Sequence, residues 1–180
     1  MTTRDMTFVA LFAALTAAFA LFPRIPLPFL PVPIVVQNIG VMLAGSILGA
    51  TRGSLSLLLF VVLVAVGMPL LTGGYGGFGV ILGPSGGFIL SWIPAAFVIG
   101  WLVERYWARL GFWHLFLANV VGGIVVVYVI GIPWQAVIAN LELVETAVLS
   151  AAYIPGDVAK AVVASFAALI VKRSYPLIRG

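Results

Sequence analysis

Cysteine is absent from this 180-residue chain. That excludes disulfides, thiol nucleophiles and thiolate metal sites. A single histidine, His114, leaves no H-E-x-x-H pair and no histidine-rich metal cluster. No G-x-x-x-x-G-K-[ST] occurs, so the chain has no phosphate loop for hydrolysing ATP. Charge is the scarcest property. Only 8% of residues are Asp, Glu, Lys or Arg, against about 25% in a water-soluble domain. So few charges cannot cover a globule with a wetted surface. The net charge of +4 is read as an orientation signal in a membrane protein and not as a nucleic-acid footprint.

Apolar residues supply 63% of the chain, and the mean hydropathy is +1.25. Crossing the hydrocarbon core takes about 20 apolar residues in helical form. Six stretches qualify: 6–22, 34–50, 54–71, 86–103, 112–132 and 154–171. The expectation is one all-α, polytopic transmembrane domain over residues 1–180. Seven of the nine basic residues fall on one side of six spans: Arg4, Arg52, Arg105, Arg109, Lys172, Arg173 and Arg179. Arg24 stands alone on the other side, and Lys160 lies inside the sixth span. The positive-inside rule then puts both termini in the cytoplasm and the long connections outside. The first span is expected to remain in the protein despite Ala18-Phe19-Ala20, because its apolar stretch exceeds a signal peptide's usual h-region.

Breakers punctuate the spans. Pro23, Pro26, Pro28, Pro31 and Pro33 exclude helix and predict a stiff, extended connection. Leu71–Ser85 predicts a glycine-rich connection. In Pro133–Tyr153, the stripe Val137, Leu141, Val144 and Val148 predicts an amphipathic helix against the bundle or the membrane interface.

Two ionisable residues lie within a span, Asp157 and Lys160. Their i, i+3 spacing puts them on one helix face. Intramembrane charge is costly and marks functional interiors, although a mutual ion pair that only fixes packing is the bland alternative. Gln37 and Asn38 in the second span either glue helices or line a pocket. Tyr75, Phe78, Phe88, Trp134 and Tyr153 gather towards the outer boundary, where aromatic belts are normal, and Trp92 is placed to face a cavity. Asn119 and Tyr128 read as polar atoms hydrogen-bonded between helices. Ala10, Ala14 and Ala18 recur at i, i+4 and i+8. Such a face permits close helix approach, within the chain or to another membrane subunit. Gly74-Tyr-Gly76-Gly-Phe-Gly79 matches the dinucleotide pattern G-x-G-x-x-G. It lies between two hydrophobic spans instead of in a strand–turn–helix unit, and the next acid, Glu104, is 25 residues past Gly79 on the cytoplasmic side, so nucleotide binding there is rejected. Gly74 and Gly77 are read instead as freedom for tight turning over a ligand.

The stretches PFLPVPIVVQNIGVMLAG, TGGYGGFGVILGPSGGF and YIPGDVAKAV together resemble the BioY biotin transporters, over Ala10 to about Val171. These are substrate-binding S components of energy-coupling factor transporters. The resemblance implies a six-helix bundle in a bacterial cytoplasmic membrane that captures biotin from outside. It implies no cofactor and no catalysis. A transmembrane coupling subunit and two ATP-hydrolysing subunits would be the partners, with Ala10, Ala14 and Ala18 on the docking face. Asp157, Lys160, Gln37, Asn38, Gly74, Tyr75, Gly77, Trp92 and Tyr153 become the expected substrate-binding residues. Asp157 would accept a ureido N–H, and Lys160 would donate to the ureido carbonyl or pair with the carboxylate. An S component for another vitamin, a ligand-free structural membrane subunit and a membrane enzyme are the competing readings.

Overall fold

The structure is a computed structural model that describes residues 1–26, 28–29, 31–174 and 177–178; Arg179, one of the seven basic residues counted above, lies outside them. Nine α-helices are described: α1 (Thr3–Ala18), α2 (Asn38–Leu48), α3 (Ala50–Ala65), α4 (Phe78–Leu82), α5 (Gly86–Arg105), α6 (Phe112–Val120), α7 (Val127–Ala139), α8 (Leu143–Ser150) and α9 (Ile154–Ser174). A π-helical stretch, Val121–Val126, joins α6 to α7 in one continuous rod. Four helical stretches are long and apolar enough to cross a membrane: Thr3–Leu21, Gly86–Arg105, Phe112–Ala139 and Leu143–Ser174. Asn38–Leu48 and Ala50–Ala65 are shorter apolar helices.

Helix α5 is the hub, packed against α2, α3 and α7. Small residues make this closeness possible. A side chain at Gly100 would strike the backbone of Gly49 and Ala50, and one at Gly122 would strike Ile99. Phe60, Met42, Leu57, Ile99 and Leu115 are completely buried in the interior. Apolar residues also face outward, including Leu58, Phe97, Val129 and Phe166. An apolar exterior over helices whose backbone is internally bonded is what lipid requires.

Where α2 meets α3, the chain turns on one residue. Gly49 takes φ 86°, a conformation that a side chain would strain. The Glu104 carboxylate accepts the Ala50 N–H at 2.9 Å, so α5 caps the start of α3. Arg52 therefore lies inside the first turn of α3 instead of in a connection. It donates to Asp5 at 3.3 Å and to the Leu177 carbonyl at 2.8 Å. Lys172 donates to the carbonyls of Trp107 and Leu110 at 3.0 and 3.1 Å. The chain start, the α2–α3 corner, the α5–α6 connection and the end of α9 are thus tied together at one end of the bundle.

Several boundaries differ from the sequence reading. Ile34 belongs to an antiparallel bridge with Ile25, closed by backbone bonds of 2.9 and 3.0 Å, and helix begins only at Asn38. The proline-rich segment is therefore an extended excursion folded back on itself. The connection after α3 contains the single helical turn α4. The rod from Phe112 runs through Pro133 to Ala139, past the expected end at Ile132. Pro133 removes one helical bond, but ending the helix in an apolar medium would strand several backbone groups. The expected amphipathic stripe is accordingly split between α7 and α8 at Asn140, which takes φ 53°. Val137, Val144 and Val148 are exposed, so the stripe does not lie against the bundle.

Candidate functional site

Helix α9 places Asp157 and Lys160 one turn apart, and their side chains meet. The Lys160 ammonium donates to Asp157 Oδ1 at 2.7 Å, with 12% and 7% of the two side chains exposed. The Tyr128 hydroxyl donates to Asp157 Oδ2, also at 2.7 Å. Asn38 Nδ2 donates to the Gly123 carbonyl at 3.3 Å and approaches Asp157 Oδ1 at 3.5 Å. Its own carbonyl oxygen is buried and has no hydrogen-bond partner. Three elements thus converge: α2 through Asn38, the π–α7 rod through Gly123 and Tyr128, and α9 through the ion pair. A side chain at Gly123 would overlap Met42, so glycine is needed for the rod to approach α2. The π stretch bearing Gly123 is of a kind often found beside functional groups.

This cluster lines a small chamber of about 60 Å³, walled by Val32, Pro33, Val35, Phe88, Trp92 and Tyr153. A larger chamber of about 320 Å³ shares Val32, Pro33, Val35, Phe88 and Trp92 with it, so the two adjoin. The larger volume is within the range of small-molecule pockets, and its mostly apolar lining with a few fixed polar groups is the expected composition. Arg24, Gln37, Thr72, Tyr75 and Ser85 supply its polar side chains. The proline-rich excursion, which is pinned by the Tyr153 hydroxyl donating to the Val32 carbonyl at 2.6 Å, forms one wall.

The expected substrate residues divide into groups. Asp157, Lys160, Asn38, Trp92 and Tyr153 are brought together around the small chamber. Gln37 lines the larger one, but its amide is fully engaged. Its Nε2 donates to the carbonyls of Thr16 and Leu70 at 3.2 and 2.9 Å. Its Oε1 accepts from the backbone N–H and the hydroxyl of Thr72, both at 2.9 Å. Gln37 therefore clasps α1, α2 and the glycine-rich loop together. Tyr75 lines the larger chamber from that loop. Gly74 and Gly77 line neither; each takes positive φ, 75° and 97°, with open space where a side chain would project. Their role is to bend the loop that carries Tyr75.

Two residues take roles that sequence reasoning leaves unassigned. Tyr128 bonds between helices as expected, and its partner is the Asp157 carboxylate. The one signal for it was a hydroxyl in an otherwise apolar run. Phe88 lines both chambers and meets Tyr153 edge-on with ring centres 6.5 Å apart, where the sequence suggested a belt residue. Asn119 likewise bonds between helices as expected, accepting from Ser46 and donating to Ser165 at 3.0 Å each.

Comparison with known proteins gives concordant findings. The model of the BioY family matches residues 1–177. A biotin transporter BioY of Rhizobium etli is 46% identical over 99% of this chain and 98% of its own length. A probable biotin transporter BioY of Bacillus subtilis is 44% identical over 96% of this chain and 92% of its own. A crystal structure described as the S-component for biotin from an ECF-type ABC transporter superposes with a TM-score of 0.93. It is 30% identical, and the match covers 98% of this chain and 97% of that one.

Proposed function

Given that the chain belongs to the BioY family, we propose that it captures biotin for uptake across the cytoplasmic membrane as the S component of an energy-coupling factor transporter. It is a transport component and not an enzyme. The observation that carries the substrate assignment is the Asp157 cluster facing the small chamber. A ureido ring presents two N–H donors and one carbonyl acceptor. Asp157 and the unpartnered Asn38 oxygen are buried acceptors, and Lys160 is a buried donor. Asp157 takes a ureido N–H and the Lys160 ammonium faces the ureido carbonyl or the carboxylate, while Trp92, Phe88 and Tyr153 close on the apolar bicycle. Leaving a buried acceptor unbonded costs more than one net hydrogen bond contributes, which favours a ligand rich in N–H donors over a vitamin without them.

The chain crosses the bilayer six times with both termini cytoplasmic. Gathering of Arg52, Lys172 and the chain start at one end of the bundle supports this orientation. A transmembrane coupling subunit and two ATPase subunits supply the energy. Ala10, Ala14 and Ala18 are exposed on α1, which supports their use as the docking face. The test is to purify the chain alone and titrate it with biotin. Saturable binding is expected; a folded chain that binds no biotin refutes the assignment.

A further inference from the structure

Arg24 is the sole basic residue that the charge pattern assigns to the outer face. It lines the larger chamber, whereas Asp157 and Lys160 line the smaller one beside it. Its guanidinium lies over the Tyr75 ring, 4.8 Å from the centroid, and donates to the Tyr75 hydroxyl at 3.2 Å. Among the described residues no carboxylate pairs with it; the two ion pairs are Arg52–Asp5 and Lys160–Asp157. A guanidinium carries five N–H donors in a planar fork, and Tyr75 occupies one. Tyr75 in turn accepts from Arg24 and keeps its own O–H to donate. Ser85, which precedes the first turn of α5, also lines this chamber and makes no capping bond. The start of a helix carries partial positive charge. The larger chamber therefore has an electropositive mouth, and among the described residues no carboxylate lines it.

We propose that Arg24, held in place by Tyr75, is the residue that recognises the carboxylate of the ligand and selects for an ionised tail. This rests on the biotin reading above and sharpens it. A ligand with its ureido head at Asp157 and Asn38 extends along the shared wall of Phe88 and Trp92. Its tail then enters the larger chamber, where a planar fork matches a carboxylate in bidentate fashion. Lys160, already 2.7 Å from Asp157 in the inner chamber, is left to the ureido carbonyl. The proline-rich excursion and the glycine-rich loop, which supply Arg24 and Tyr75, thereby close over the same end of the ligand.

The experiment titrates purified full-length chain with biotin and with biotin methyl ester, which keeps the head and loses the tail charge. Wild type is expected to prefer the acid. Arg24→Gln should weaken biotin about 10- to 100-fold, the range for one charge-assisted contact, and change ester affinity less than about two-fold. Retained ester binding also shows that the variant is folded. Arg24→Lys should fall between, since an ammonium keeps charge but not the fork. Asp157→Asn should weaken acid and ester alike. Equal losses for both ligands in Arg24→Gln, or no loss for biotin, overturn the Arg24 assignment alone. A wild-type chain that binds neither ligand overturns it together with the biotin reading.

Discussion

Neutralising Asp157 separates a ligand site from a packing device. In Asp157→Asn the amide keeps an oxygen for one donor, and the Tyr128 hydroxyl can turn to accept from the new N–H. Most hydrogen-bond count is preserved. What is lost is the negative charge beside a Lys160 side chain that is only 12% exposed. Breaking a buried pair by removing one partner costs about 3–5 kcal/mol. The adjoining chamber gives the ammonium some access to water, so the lower end, about 3 kcal/mol, is expected. In a chain of this length 1 kcal/mol shifts Tm by roughly 2–4 °C, giving a fall of roughly 6–12 °C. Lys160→Met should do the same by stranding the carboxylate, softened by the Tyr128 and Asn38 donors. The double variant removes both charges together and should recover to within about 1 kcal/mol of wild type, because buried pairs contribute little net stability. Biotin binding should not recover. Each single variant and the double should bind at least about 100-fold more weakly, having lost charge-assisted bonds to the ligand. Thermal unfolding in detergent measures the first quantity and a biotin titration the second. A double variant that binds biotin like wild type would refute the reasoning, because the pair would then serve only packing.

Other perturbations act on other parts of the same architecture. Tyr128→Phe removes the 2.7 Å donor to Asp157 and should weaken biotin about ten-fold, as one hydrogen bond to a charged group does, measured by the same titration. Gln37→Leu strands the carbonyls of Thr16 and Leu70 and the Thr72 donors. It should lower stability by about 2–4 kcal/mol, visible as a fall in Tm larger than any loss of affinity; the reverse ranking would make Gln37 a ligand contact. Gly77→Val forces a β-branched residue to φ 97°, a strain of about 1–3 kcal/mol. Open space around the site adds no clash to that strain, so Tm should fall by roughly 2–12 °C while biotin capture weakens; unchanged capture would reduce the loop to a connector.

Charge was legible in this sequence because it was rare. Asp157 and Lys160 stand out in an apolar run, and helical spacing alone predicts that they meet. The prolines before Asn38 likewise announced extended chain. Partners distant in sequence were not legible. Tyr128 reaches Asp157 across 29 residues, and Gln37 reaches Thr72 across 35; no local pattern encodes either bond. Breaker residues also misled where the medium changes their meaning. Pro133 reads as a stop in water, where a freed carbonyl is hydrated. In an apolar setting, continuing the helix past one missing bond strands fewer groups than ending it. Gly49 shows the converse. One glycine at φ 86° suffices to turn α2 into α3, so no polar loop was needed around Arg52.

On the proposed function, the two loops and the bundle divide the work of recognition by rigidity. The groups of the inner chamber sit on α2, the π–α7 rod and α9. The polar groups that line both the larger chamber and its mouth come mainly from irregular segments: Arg24, Thr72, Tyr75 and Ser85. A buried charge pair demands fixed partners, since in a low-dielectric interior a misplaced partner leaves a costly unpaired charge. That requirement explains why Gly123 brings its carbonyl to Asn38 and why Tyr128 holds the second carboxylate oxygen. A mouth that must admit ligand demands the opposite, groups whose pairing can be exchanged at small cost. The Arg24–Tyr75 contact is exposed, and an exposed contact of that kind contributes about 0.5–1 kcal/mol. It can therefore open for ligand without loss of the fold, while Gln37, with four bonds beneath it, keeps the base of the glycine-rich loop in place.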